Sequence, residues 1–141
     1  MTIVVGYSPS GQGRAALRAG VRYASRSGED LIIVSHQYND PEHGMSAADE
    51  EAVRAALAEV EGEVGEVAVR SSSTKDAGEF ILSVADEVAA DLLVIGLRRK
   101  PAIGKLNLGA AARRVVLGAP CPVLAVKDDY PAPREGTVAG S

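Results

Sequence analysis

Residues 96–114 read GLRRKPAIGKLNLGAAARR. Gly96, Gly104 and Gly109 are interleaved with Arg98, Arg99, Lys100, Lys105, Arg113 and Arg114, and no acid interrupts them. These residue types suit an anion. Glycine permits positive φ and close backbone approach. Backbone N–H groups at the start of a following helix point at an anion, and the helix dipole favours negative charge there. Arg98, Arg99, Lys100 and Lys105 add charge-assisted donors. A turn bearing solvated basic side chains would use the same residues, so their types alone leave both readings open.

Standard phosphate loops do not fit. A Walker A loop needs G-x-x-x-x-G-K-[ST]. Here Gly104 and Lys105 are followed by Leu106, and the first glycine would fall on Arg99. A G-x-G-x-x-G fingerprint is missing after the first apolar run. The run Ser10-Gly11-Gln12-Gly13 falls short of the SGGxDS loop of ATP pyrophosphatases.

Other reactive side chains are sparse. Cys121 is the single cysteine, so no internal disulfide forms. It lies in APCPVLAV, which suits a small buried thiol without an activating neighbour. His36 ends an apolar run and reads as a strand-end residue. His43 lies near Asp40 and Glu42, at a spacing that fits no standard metal cage. Tyr7 and Tyr38 could flank a flat ring, although Tyr7 also suits core packing. No Ser/His/Asp or Cys/His set and no paired carboxylates fall together on these loops.

The elements that must position these residues alternate. TIVVGY, DLIIVSHQ, DLLVIGL and PVLAVK are short, almost continuously apolar runs, with GEVAVRS a weaker fifth. Strands buried on both faces of a parallel sheet read this way. Helical patterns fall between them. Residues 12–26 place Ala16, Leu17, Val21 and Ala24 on one stripe. Ser46 precedes Val53, Leu57, Val60 and Val64 at helical spacing. Asp76 and Glu79 resemble a capping box ahead of Phe80, Ile81, Val84 and Val88. A last helix from about 108–110 should carry Val115 and Val116 and stop at Gly118, before Pro120. The order β-α-β-α-β-α-β-α-β predicts an α/β sheet with helices on both faces. Residues 37–45 are expected to form a loop, and 128–141 a disordered or loosely docked tail. In such sheets ligands bind beyond the carboxyl ends of the strands, where strand order reverses.

The chain has 141 residues, 46% of them hydrophobic, which suits one domain with one core. Its net charge of −4 disfavours general nucleic-acid binding. The basic stretch also lacks interleaved aromatics. Asp49, Glu50, Glu51, Glu59, Glu61, Glu63 and Glu66 concentrate acid within residues 49–66, as a solvated helix face does. No apolar run reaches membrane-span length, and MTIVVGYSPS lacks the regions of a secretory signal. The expectation is a cytoplasmic protein with no membrane or nucleic-acid partner.

With these segments in view, the chain resembles the universal stress protein family over nearly its full length. IVVGYSPSGQGRAAL is similar to the family's opening, commonly I-L-V-G-V-D-G-S-x-x-x-x-x-A-L. VVLGAPCPVLAVK is similar to its closing A-P-C-P-V-L-V-V. Between them lies the motif G-x2-G-x9-G-[ST]. The resemblance implies a single domain over residues 1–127. It implies an open, mostly parallel five-stranded sheet in order 3-2-1-4-5, of the adenine-nucleotide α-hydrolase-like class. It also implies a homodimer through the last strand, residues 122–127, and a stress-response module rather than an enzyme. No metal is implied. ATP or a related adenine nucleotide would lie between the loops after the first and fourth strands. The positions that would line it are Tyr7, Ser8, Pro9, His36, Gly96, Leu97, Arg98, Arg99, Gly104, Lys105, Gly109, Ala110 and Ala111.

The match departs from the family pattern at three positions. Gly96 and Gly109 stand in register, but Arg99 replaces the middle glycine, Ala110 the hydroxyl residue, and Ser8 the usual Asp. Losing the hydroxyl removes a hydrogen bond to a charged group, worth roughly 1.5–3 kcal/mol. If position 99 required positive φ, arginine would cost roughly 1–2 kcal/mol there. Arg99 brings donors in return, and Gly104 supplies flexibility further along. Retained nucleotide binding is the favoured expectation. The alternative is a degenerate member that binds no ATP and acts as a dimeric protein-interaction module. A slow ATPase is disfavoured for want of a base or metal carboxylate.

Overall fold

The computed structural model describes residues 2–7, 11–26, 28–36, 39–40, 44–45, 50–60, 64–72, 77–100, 105–107 and 110–127. The chain runs β1 (Thr2–Tyr7), α1 (Gly11–Ser25), β2 (Asp30–His36), β3 (Asn39–Asp40), β4 (Gly44–Met45) and α2 (Glu50–Ala58). It continues through β5 (Val67–Ser72), α3 (Ala77–Glu87), β6 (Leu92–Lys100), β7 (Lys105–Asn107), α4 (Ala110–Gly118) and β8 (Val123–Lys127).

Five of these strands form the parallel sheet, in the spatial order β5-β2-β1-β6-β8. In chain order that is third, second, first, fourth and fifth, as the resemblance implied. The register runs Thr2↔Asp30 to Tyr7↔Ser35 between β1 and β2, and Ile3↔Leu92 to Val5↔Val94 between β1 and β6. Thr2 and Asp91 lock the amino ends of β1 and β6. The Thr2 N–H donates to Asp91 Oδ2 at 2.9 Å, and the Asp91 N–H donates to the Thr2 carbonyl at 2.8 Å.

Alternation along each strand sends side chains to two cores. Ile3, Val5, Tyr7, Leu31, Ile33 and Val94 pack beneath Ala15, Ala16, Leu17, Val21 and Ala24 of α1 and Val53 of α2. Val4, Val34, Leu93 and Ile95 pack on the other face beneath Phe80, Val84 and Ala85 of α3 and Val115 of α4. Val116, expected on the helix beside Val115, is there but turned out, 44% exposed.

The structure departs from the expected loops in two places. Residues 37–45 contain a small antiparallel ladder, with Asn39↔Met45 and Asp40↔Gly44 paired. β6 does not stop at Leu97. It runs on to Lys100 and turns back as β7, pairing Arg98↔Asn107, Arg99↔Leu106 and Lys100↔Lys105. The helix of residues 50–58 is also shorter than its apolar spacing suggested. Val60 lies in the turn that follows, and Val64 lies beyond it. Both still pack against the α1-side core. The segment 128–141 lies outside the described residues.

Candidate functional site

Strand order reverses between β1 and β6, which places the crevice of an open α/β sheet beyond their carboxyl ends. The last parallel pair is Val5↔Val94. Two residues further along each strand stand Tyr7 and Gly96, at the same level of the sheet. Tyr7 is buried, 7% exposed, within the α1-side core. Its ring belongs to the packing beneath α1.

Gly96 has a definite structural task. A Cβ built on it would run into the backbone carbonyl of Gln12, in the first turn of α1. Gly20, midway along α1, makes the same kind of approach to Val5. α1 therefore lies tight across β1 and β6, and its amino end is held over the end of β6. This is the close helix–strand approach that only glycine allows.

Two helices follow the strands that end on this side of the sheet, α1 against one face and α4 against the other. α1 starts at Gly11 after β1, and α4 starts at Ala110 after β7. Neither carries an acidic residue in its first turn, whereas α3 carries Glu79 there. Both helix ends therefore present N–H groups and a positive dipole end not offset by their own carboxylates. Each such end favours a surface anion by about 0.3–1 kcal/mol. The β6–β7 hairpin brings Arg98, Arg99, Lys100 and Lys105 to the same edge, on paired backbone positions.

Position 99 lies in a strand rather than in a glycine turn. Among the described residues, Ala89 is the non-glycine residue with positive φ, so Arg99 carries no left-handed strain. The cost considered for arginine there does not arise. Pro101 and Gly104 between two lysines were the available signal for this hairpin, since breakers between short extended runs mark a reversal.

The remaining expected positions are distributed as follows. His36 ends β2 opposite Ser72 of β5, one strand away from the β1–β6 crevice. Leu97 pairs with Lys127 and is half-buried. Ala110 and Ala111 open α4. Ser8, Pro9, Gly104 and Gly109 lie outside the described residues, as do Tyr38 and His43. Gln12, whose backbone receives Gly96, had no distinguishing feature in the sequence.

Cys121 is half-buried beside α4. Burial, and then the charge of Asp91, push its thiol pKa up. A carboxylate does stand near this thiol, but it acts against thiolate formation. Among the described residues, no group of three His, Cys, Asp or Glu side chains could hold a metal ion. No helix there is long and apolar enough to cross a membrane.

An open parallel sheet whose strand order reverses between β1 and β6, with helices on both faces, defines a doubly wound α/β fold. The universal stress protein family matches residues 1–127. A universal stress protein of Mycolicibacterium smegmatis is 37% identical over 125 residues, covering 89% of this chain and 96% of that one. The universal stress protein of Archaeoglobus fulgidus superposes with a TM-score of 0.64 at 27% identity, over 89% of this chain and 97% of that one. A universal stress protein in complex with cAMP superposes with a TM-score of 0.68 at 25% identity, over 91% and 97%. The chain belongs to the universal stress protein family.

Proposed function

We infer that this chain is a non-enzymatic, cytoplasmic stress-response module that binds an adenine nucleotide at the carboxyl ends of β1 and β6. ATP is the nucleotide the family motif suggests, and Gly96 and Gly109 keep that motif's outer spacing. The observation that carries the reading is the α1 amino end held over the end of β6 at the switch point, with neither α1 nor α4 bearing a first-turn acid. The related protein solved with cAMP supports the same ligand class. Phosphate would lie against the helix ends and the hairpin, and the base would lie toward the ends of β1 and β2. The domain is taken as residues 1–127, with 128–141 as a tail. Nucleotide retained through purification, or saturable binding of a fluorescent ATP analogue, tests this function. Absence of binding at millimolar nucleotide overturns it.

A second reading has its own support. β6 runs through Arg99 as a strand, where the family motif has glycine, and Ala110 brings no hydroxyl. On that reading the chain has lost ATP and acts through protein contacts.

Either reading includes a homodimer through β8. Among the described strands β8 pairs with β6 alone, which leaves its other edge open to a second strand. Light scattering on the purified chain checks this, and a monomeric mass at micromolar concentration excludes it.

A further inference from the structure

The β6–β7 hairpin sorts its basic positions onto two faces. Along β6, Val94 belongs to the α1-side core, Ile95 to the opposite core, and Gly96 faces Gln12 of α1. Successive strand positions alternate between the faces. Positions 98 and 100 therefore fall on the α1 side, and position 99 on the side of α3 and α4. Directly paired positions share a face, so position 105 joins 100 and position 107 joins 98, while 106 goes with 99. Lysine thus stands opposite lysine across the ladder, at Lys100↔Lys105. Like charges directly opposite weaken a strand pair, and a two-stranded ribbon is marginal to begin with. The hairpin's own stability does not account for that pair. An anion held between the two lysines does.

We propose that Arg98, Lys100 and Lys105, on the α1-side face of the hairpin, set the phosphate number of the ligand, favouring a nucleoside triphosphate over a monophosphate, with Arg99 outside that set. The proposal rests on the nucleotide reading above and adds the cations that discriminate. Positions 98 and 100 lie roughly 7 and 13 Å beyond Gly96 along the strand, past the level of the crevice. They are on the side where the amino end of α1 is held over β6. Cations placed there meet the outer end of a phosphate chain rather than a phosphate next to the ribose. Opposing charge is kept away from this face. No acid occurs in the sequence between Asp91 and Asp128, and α1 bears none. Glu50 and Glu51 open α2, which packs on β5. β5 is three strands from β6, roughly 14 Å, which exceeds a Debye length at physiological salt. On the other face Glu79 of α3 stands 4.0 Å from Arg114 of α4, so acid lies on the side of position 99.

The test titrates the nucleotide-free full chain with ATP, ADP and AMP by calorimetry, without divalent cations. The parent should bind ATP roughly tenfold or more tightly than AMP, with ADP between, and the ratio should shrink as salt rises. Lys100→Gln with Lys105→Gln should lower ATP affinity roughly five- to thirtyfold, the effect of two exposed ion pairs, and change AMP affinity far less. Arg98→Gln, which keeps the lysine pair, should lower the ATP-to-AMP ratio by a smaller factor, and Arg99→Gln should lower it least. Without nucleotide, the double lysine variant should unfold no earlier on heating than the parent, since a like-charge pair is gone. Equal affinity of the parent for ATP and AMP overturns the proposal and leaves nucleotide binding standing. No binding of any of the three overturns both. A loss of ratio from Arg99→Gln equal to that from the lysine pair overturns it too, since general attraction rather than one face would then discriminate. So does a double lysine variant that keeps the parent's ratio.

Discussion

Gly96 of β6 and Gln12 of α1 are packed so closely that no side chain fits between them: a Cβ at position 96 would occupy the place of the Gln12 carbonyl. This contact holds the amino end of α1 over the end of β6. It couples the packing of the fold to the geometry of the crevice. Gly96→Ala should therefore cost roughly 1–3 kcal/mol of stability, the usual penalty of overpacking. It should also weaken nucleotide binding, because the helix end must lift. Denaturant unfolding and nucleotide titration of the same variant check both effects. Gly20→Ala, which meets Val5 away from the crevice, should lower stability with a smaller effect on binding.

The two departures from the family motif should behave differently. Ala110→Ser restores a hydroxyl at the first residue of α4 and should tighten nucleotide binding, by up to the roughly 1.5–3 kcal/mol of a hydrogen bond to a charged group. Arg99→Gly should not tighten it. Position 99 is paired strand without positive φ, so glycine there loosens the hairpin and removes a cation. A gain from Arg99→Gly equal to that from Ala110→Ser would contradict the hairpin.

Cys121 should be a slow thiol. Its pKa is raised by burial and then by Asp91, so the thiolate is scarce at neutral pH. Alkylation should be slower than for a free cysteine, with a midpoint above the ordinary value of about 8.5. Asp91→Asn should shift that midpoint down while leaving an oxygen to accept from the Thr2 N–H. The linked effect on stability has a definite sign. The folded chain holds this proton to higher pH than the unfolded chain, so the contribution is present below about pH 8.5 and is lost as pH rises through the folded value. Cys121→Ser should remove that part of the alkaline decline.

Arg70 Nη2 donates to both carboxylate oxygens of Glu87, at 2.9 and 3.1 Å, which ties β5 to the end of α3. Their side chains are 38% and 58% exposed, so solvent screens the attraction. Arg70→Ala should cost at most about 1 kcal/mol, less as salt is added. Chemical denaturation at low and high salt checks it. A cost above that of Gly96→Ala would mean the edge strand depends on this pair.

The parallel strands were legible because buried strands write continuous apolar runs, as DLLVI does in β6. The helix end at Gly118 was legible because glycine before Pro120 stops a helix. The starts of α1 and α4 were legible to within a residue or two, from the apolar stripe over 12–26 and the helix expected from about 108–110, against Gly11 and Ala110. The hairpin was not, because Arg98, Arg99 and Lys100 carry no apolar alternation, and charged residues in a projecting strand look like a loop. The Gly96–Gln12 approach was hidden for another reason. A glycine in a phosphate-like motif suggests backbone freedom, whereas here it supplies room for a helix, which only the packing discloses. The shortness of α2 was hidden too, since Val60 and Val64 keep helical spacing while serving the same core from beyond its end.

The central claim is that the crevice between β1 and β6 holds an adenine nucleotide. Calorimetric titration of the nucleotide-free full chain with ATP, repeated with Gly96→Ala and Ala110→Ser, tests it most directly. The account predicts saturable one-site binding in the micromolar range, weakened by the first substitution and tightened by the second. No saturable binding by the parent chain up to millimolar ATP would contradict it.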